Sequence, residues 1–404
     1  MLFRSKAFAQ SQTAKTVLYS SVGAELFFWD IDAAGANLTR RGSVMLPAGV
    51  QYAWPHPSKR FFYVASSNGM PGGGAANQGD KHFANAFRID PATGTLTPHG
   101  RQVPLSARPI HISVDNDGRF ALIAYNEPSG LTVHRINADG TLGEEVNQTQ
   151  KPDVGIYSHQ IRTIPNNRAV ILVCRGNNPA NGKGEDPGSL KVFGFNGGQL
   201  TNLASYAPGG GYGFGPRHLD FAPSGRFVYV SLERQNRLYT YGMQDTGRLS
   251  ADPIFRTESL AEPNNRRPGQ GAGTLHMHPN GRFLYQANRN SSLIDFEGKR
   301  VFAGGENNIA VYTLDSNSGE PKLIQNEDGR ANQLRTFAID PTGRMLVAAS
   351  VSPILMRENG KIVTQTAGLS VFRIGGDGKL TYVRKYDVDT SKGTQFWSGM
   401  VTLA

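Results

Sequence analysis

The chain has a single cysteine, Cys174, in 404 residues, which excludes an internal disulfide and a cysteine-based metal cluster. The preceding residues Ala169–Val173 are apolar, so the thiol is expected as a buried core group rather than a nucleophile. No apolar run approaches the ~18 residues a membrane-spanning helix needs. The start holds Ala7-Phe8-Ala9, similar to the end of a secretory leader but without the apolar segment that should precede it. A cytoplasmic location is therefore expected, with a periplasmic one open. Strands do not alternate with long amphipathic helices, which argues against a parallel α/β sheet. Several catalytic signatures are missing too. There is no Gly-x-Ser-x-Gly elbow and no His-Glu-x-x-His motif, and neither Gly-rich loop (Gly69–Lys81, Arg175–Gly188) has the strand-to-helix setting of a phosphate-binding turn. No metal and no cofactor are expected.

Acidic residues are the scarcer charge, 32 against 42 Lys and Arg, for a formal net charge of +10. The basic residues are scattered, and the cluster that stands out is Arg266-Arg267 in a Pro/Asn-rich loop. This disfavours a nucleic-acid partner and fits a small anionic substrate better. No obligate protein partner is evident.

What the chain does contain is a recurring phrase. His56-Pro57-Ser58-Lys59-Arg60-Phe61-Phe62-Tyr63, Asp117-Gly118-Arg119-Phe120, Pro165-Asn166-Asn167-Arg168, Pro223-Ser224-Gly225-Arg226-Phe227-Val228-Tyr229, Pro279-Asn280-Gly281-Arg282-Phe283-Leu284-Tyr285 and Pro341-Thr342-Gly343-Arg344 share one pattern. The residues before each Arg (59, 118, 167, 225, 281 and 343) recur every 49 to 62 residues. Each copy reads as a tight turn followed by a strand, and a unit of this period signals a propeller or solenoid. Apolar segments before each turn and further strands after it (Gly130–Ile136, Leu238–Tyr241, Ile309–Leu314, Leu369–Ile374) make four strands per unit, one propeller blade.

Six turns give six blades. A seventh follows if Lys15–Ser20 and Leu26–Ile31 join a strand from Phe396–Leu403, closing the ring without open edges. The expected fold is an all-β, seven-bladed β-propeller of four-stranded antiparallel blades, one domain over residues 15–404 preceded by a tail at 1–14. The two Gly-rich loops then read as long insertions on one face.

Two columns flank the turns. Eight residues before the register marks stand Gln51, Ile110, His159, Arg217, Gly273 and Arg335; eight after stand Ser67, Asn126, Arg175, Glu233, Arg289 and Val351. In antiparallel hairpins both columns fall at the end opposite the turn, so these residues should ring one mouth of the central channel. Arg217 and Glu233 share a hairpin, and a cross-strand ion pair would account for those two alone. So many ionisable groups in register point instead to a ligand site. His111 and His218 lie one residue off the column. His111 is expected as a packed, hydrogen-bonded core group. His218 and His276 are carried as substrate-binding candidates with Arg335, Arg175 and Asn126. His159, Glu233, Arg217 and Arg289 are the catalytic candidates, a set suited to general acid–base chemistry on an anionic or carbonyl substrate.

Arg108-Pro109-Ile110-His111-Ile112-Ser113, Gly213-Phe214-Gly215-Pro216-Arg217-His218-Leu219-Asp220-Phe221-Ala222-Pro223, Ser231-Leu232-Glu233 and Arg335-Thr336-Phe337-Ala338-Ile339-Asp340-Pro341 resemble the seven-bladed propeller lactonases. That family includes propeller-type 6-phosphogluconolactonases and fungal carboxy-muconate lactonizing enzymes. The resemblance spans nearly the whole chain and implies hydrolysis of an acidic, sugar-acid type lactone, or muconate-type lactonization at the same site. In the lactonizing members a His, an Arg, a Glu and a second Arg are implicated; by motif these fall on His159, Arg217, Glu233 and Arg289. Leu232-Glu233-Arg234 departs from the Asn-Glu-Leu usual in the family, and the inserts around Gly182 and Asp295–Gly305 are unusual. A propeller acting only as a binding platform is the third reading; the Gly-His and Trp-Asp signatures of such repeats are absent.

Overall fold

In the computed structural model residues 15–71, 77–180 and 182–404 are described. The tail at 1–14 lies outside the described residues, as does the centre of the first Gly-rich loop. Seven antiparallel sheets form a propeller. Their innermost strands are Gly49–Pro55, Pro109–Val114, Ser158–Thr163, Pro216–Phe221, Gly271–Met277, Leu334–Ile339 and Gln395–Thr402, here numbered blades 1 to 7. Each of the first six runs into a recurring turn and pairs with the strand beyond it. Blade 7 is composite as expected: Gln395–Thr402 pairs with Thr16–Val22, followed by Glu25–Asp32 and Asn37–Met45. Blade 1 carries an additional short strand, Val103–Pro104.

Apolar side chains form seven clusters, one between each pair of neighbouring blades. The recurring phrase supplies the fastener for several of these interfaces. The aromatic after the Arg lies against the left-handed glycine of a turn in the next blade. A Cβ on Gly140, Gly319 or Gly378 would fall 2.4–2.6 Å from the Phe61, Phe227 or Phe283 ring, so only glycine fits. Two residues on, the tyrosine hydroxyl donates to that glycine's carbonyl: Tyr63 to Gly140 at 2.9 Å, Tyr229 to Gly319 at 3.1 Å, Tyr285 to Gly378 at 2.7 Å. Tyr19 makes the same bond from the composite blade to Gly94 of blade 1, at 2.6 Å. The phrase thus encodes blade-to-blade packing as well as a turn.

Four insertions leave the ring between the second and third strands of blades 1, 3, 5 and 6. Two are the Gly-rich segments noted in the sequence. The Asp295–Gly305 region belongs to a small hairpin, Leu293–Phe296 with Lys299–Phe302. A second hairpin, Ile354–Glu358 with Lys361–Gln365, was not foreseen. The two hairpins meet where the Arg357 guanidinium lies 4.1 Å from the Phe296 ring centre. All four insertions rise on the face that carries the two charged columns. No helix of the described residues is long and apolar enough to cross a membrane.

Candidate active site

A β-bulge recurs in the innermost strand of every blade, and it falls on the column eight residues before the turn. In blade 4, Pro216 pairs with Leu232 and His218 with Ser231, leaving Arg217 as the extra residue. Gln51, Ile110, His159, Gly273 and Arg335 occupy the same place in their strands. In blade 7 the extra residue falls at Phe396-Trp397. A bulge bends the strand and re-aims one side chain; five of the seven bulges bring Ile110, His159, Arg217, Arg335 and Phe396 to one level of the channel. There a cavity of about 280 Å3 is lined by His159, Arg175, Arg217, Glu233, Arg289 and Arg335, walled by Ile110, Val351 and Phe396.

Glu233 organises the cluster. Its carboxylate accepts from Arg175 Nη1 at 3.2 Å and from Arg289 Nη2, and Arg217 Nε lies 3.5 Å away. Burial alone would raise this carboxyl, but Arg175, Arg289 and Arg217 outweigh it and hold it at about 2. One carboxylate does not satisfy the guanidiniums in return. Arg217 is only 2% exposed, and its Nε and Nη1 have no hydrogen-bond partner among the described residues. Burial, with the neighbouring charges of Arg289 and Arg175, pulls it down to about 9 despite Glu233. Arg335 packs flat on the Phe396 ring at 3.6 Å; burial and the charges of Arg217 and Arg289 lower it well below the usual arginine range. Arg175 lies 3.8 Å over the Tyr157 ring, and Glu233 keeps it charged against the effect of burial.

His159 is buried beside these cations. Desolvation first, then the charges of Arg217, His218 and Arg335, depress its imidazole well below 6.5, so it is neutral at physiological pH. Its Nδ1 has no partner among the described residues. The cluster therefore offers a proton acceptor next to hydrogen-bond donors with unused capacity.

Three expected substrate-binding residues are not in this cavity. Asn126 is in the column, but its Oδ1 accepts from Arg108 Nη2 at 3.2 Å, which holds it in the wall beneath the first Gly-rich loop. His218 stands one level deeper. Its ring is 5.2 Å from His159 in the neighbouring blade and 6.4 Å from both His111 and Tyr52, the last two being contacts between non-adjacent blades across the channel under the cavity. His111 belongs to this plug as well: it is packed as expected, yet neither ring nitrogen has a hydrogen-bond partner among the described residues, contrary to expectation. His276 is farther along still, against Phe337 at 4.9 Å, because the strand carries it toward the turn and away from the mouth. Cys174 is fully buried, in line with a structural thiol. Among the described residues no group of three or more His, Cys, Asp or Glu side chains is placed to hold a metal ion.

Tyr157, Gln333 and Phe396 line the cavity without having been singled out. Phe396 is recoverable by extending the column into the closing strand. Tyr157 and Gln333 stand two residues before the bulge with φ of 58° and 54°, a left-handed backbone that sequence does not announce for residues other than glycine. Outside the cavity, and sharing Arg175, Glu233, Arg289 and Gln333 with it, opens a basin of about 620 Å3 that adds Arg234, Arg266 and Arg267. Arg234 pairs with Glu185, whose Oε1 also accepts from Gly213 N at 2.5 Å, fastening the blade 3 insertion at the rim.

The family model for "Lactonase, 7-bladed beta-propeller" matches residues 16–352. The chain belongs to this family. It is 29% identical over 333 residues to a 6-phosphogluconolactonase of Pectobacterium carotovorum, covering 80% of this chain and 84% of that protein. It is 26% identical over 276 residues to a 6-phosphogluconolactonase of Bacillus subtilis, covering 66% and 69%. Among solved structures, the periplasmic gluconolactonase of Pseudomonas aeruginosa superposes with a TM-score of 0.70 at 20% identity, over 97% of this chain and all of that one. A protein from Lactobacillus plantarum gives 0.70 at 19% identity over 96% and 99%.

Proposed function

We propose that this propeller lactonase hydrolyses a sugar-acid lactone in the bulge-lined cavity. The observation that carries the reading is the convergence of four guanidiniums on a cavity holding one carboxylate, beside a neutral imidazole. His159 takes a proton from water as it adds to the lactone carbonyl. Arg217 and Arg335, the arginines least engaged by Glu233, receive the negative charge developing on the carbonyl oxygen. Collapse breaks the ring C–O bond, and the protonated His159 returns its proton to the departing alkoxide. The product is a hydroxy acid, whose carboxyl then releases its proton to solvent and leaves as the carboxylate. Glu233, held at about 2, is too weak a base for this role and too firmly paired; it fixes Arg175, Arg217 and Arg289 in one orientation.

The outer basin suits a second anionic group on the substrate, Arg266 and Arg267 standing where a phosphate of a 6-phosphogluconolactone would reach. A phosphorylated lactone is retained inside the cell, which agrees with the cytoplasmic location expected above. The test is a pH-indicator hydrolysis screen of gluconolactone and 6-phosphogluconolactone with wild type and Arg217→Ala. Hydrolysis that falls ~10²–10³-fold in the variant supports the assignment. No hydrolysis, with loss of muconate absorbance instead, would favour the lactonizing reaction at the same residues.

A further inference from the structure

The other end of the channel holds a second cavity. About 270 Å3 in volume, it is lined by Tyr52, Trp54, His276, Phe337, Trp397 and Met400, among others. It is separated from the active cavity by the plug of Tyr52, His111 and His218. Its walls are aromatic: Tyr52 and Trp397 meet edge-on at 6.2 Å and His276 meets Phe337 edge-on at 4.9 Å. Burial lowers the His276 imidazole to about 4, Asp220 opposing and Arg162 adding, so the chamber itself carries no charge at neutral pH.

A recess of about 310 Å3 adjoins it, sharing Trp54, Pro55 and Met400 and adding Lys59 and Arg162. Among the described residues no acidic side chain lines either space. The Arg162 guanidinium lies 4.6 Å from the Trp54 ring centre. Its closest carboxylate oxygen, Asp220 Oδ1, is 3.7 Å away. Asp220 is already engaged by backbone amides, accepting from Phe221 N at 2.9 Å and Met277 N at 2.8 Å. Arg162 thus stands beside an aromatic chamber, ion-paired at 3.7 Å with an Asp220 carboxylate that backbone amides share, and its guanidinium makes no side-chain hydrogen bond among the described residues.

We propose that this face binds a planar aromatic molecule carrying one anionic group, its ring in the chamber and its anion on Arg162 and Lys59. A cavity of about 150 Å3 accepts benzene, so this chamber takes one ring or two fused rings. Aromatic walls contribute stacking beyond burial, and Arg presents a planar fork matched to a carboxylate or phosphate. None of these residues has a part in the proposed hydrolysis, so the site stands or falls independently of it.

The test is calorimetric titration of the full chain with 2-naphthoate and with the neutral analogue 2-naphthylmethanol. Wild type should bind naphthoate with one-to-one stoichiometry, undisturbed by saturating gluconate. Arg162→Gln should weaken naphthoate at least tenfold while changing the alcohol less than twofold; Trp54→Ala should weaken both. Circular dichroism melting verifies that the variants fold, and Lys59→Gln, on the exposed turn, gives a second reading, expected as a weakening of about threefold for naphthoate alone. Absence of saturable binding, displacement by gluconate, or equal losses of acid and alcohol in Arg162→Gln would each overturn the assignment.

Discussion

Glu233→Gln should unbalance the cluster, and the size of the effect follows from its surroundings. The substitution keeps shape and one carbonyl acceptor but removes the only carboxylate among the described residues that line the active cavity, leaving Arg175, Arg217, Arg289 and Arg335 to repel one another. A carboxyl held at about 2 rather than its ordinary 4.5 contributes roughly 3 kcal/mol of stability at neutral pH, at ~1.4 kcal/mol per pH unit. Removing one partner of a buried pair costs a comparable ~3–5 kcal/mol. The sign with pH follows from the lowered value: the folded state binds this proton less readily than the unfolded chain. The contribution is therefore whole above about pH 4.5 and is lost as pH falls toward 2. Urea unfolding at pH 7 should show the loss, and the gap between variant and wild type should narrow below pH 4.5. Phosphate, binding among the uncompensated guanidiniums, should restore more stability to the variant than to wild type. A Glu233→Gln protein with wild-type unfolding at pH 7 and full hydrolysis would refute the organising role.

His159→Gln should lower lactone hydrolysis by ~10²–10⁴-fold. In wild type the acid limb of kcat/KM should lie well below pH 6.5, because the depressed imidazole stays an acceptor there; a limb at or above 6.5 would contradict the assignment. Arg335→Gln should reduce kcat/KM for gluconolactone, whereas Arg266→Gln with Arg267→Gln should raise KM only for the phosphorylated lactone; steady-state kinetics on the two substrates separates these effects. Tyr157→Ala, which frees Arg175 from its stacked position, should lower activity, with Tyr157→Phe restoring it; equal loss in both would implicate the hydroxyl instead. Deleting Phe396–Ala404 removes Trp397, Val401 and Leu403 from the interface between blades 7 and 1. At ~1.5–3 kcal/mol per large buried side chain, that exceeds much of the ~5–15 kcal/mol a fold holds in reserve; thermal melting should show no cooperative transition.

The spacing of the Pro-x-Gly-Arg turns was enough to read the ring and its closure, because each blade repeats the same packing problem. The charged columns were legible for the same reason: a strand's direction relative to its turn fixes which end a residue occupies. What the spacing does not carry is the bulge. Strict alternation gives no reason for Arg217 and His218 to stand at successive levels of one channel, so spacing alone does not separate a cavity residue from His218, which packs among His159, His111 and Tyr52. Asn126 satisfied the register but not the local hydrogen bonding, since Arg108 lies eighteen residues earlier in the chain. Arg266 and Arg267 stand out in the sequence as a basic pair, but they sit in a loop, where no periodicity reports which face they join.

The plug beneath His159 has a kinetic consequence. With Tyr52, His111 and His218 packed across the axis, the active cavity is closed below, and among the described residues it opens into the basin beside Arg175, Arg289 and Gln333. Under the proposed reaction the traffic is asymmetric, for the incoming ring ester gains a full negative charge before it turns back toward the same guanidiniums. Attraction of the guanidiniums for that charge slows exit, so the expected limit on turnover at saturation is escape of the hydroxy acid, to be seen as a kcat that rises with ionic strength.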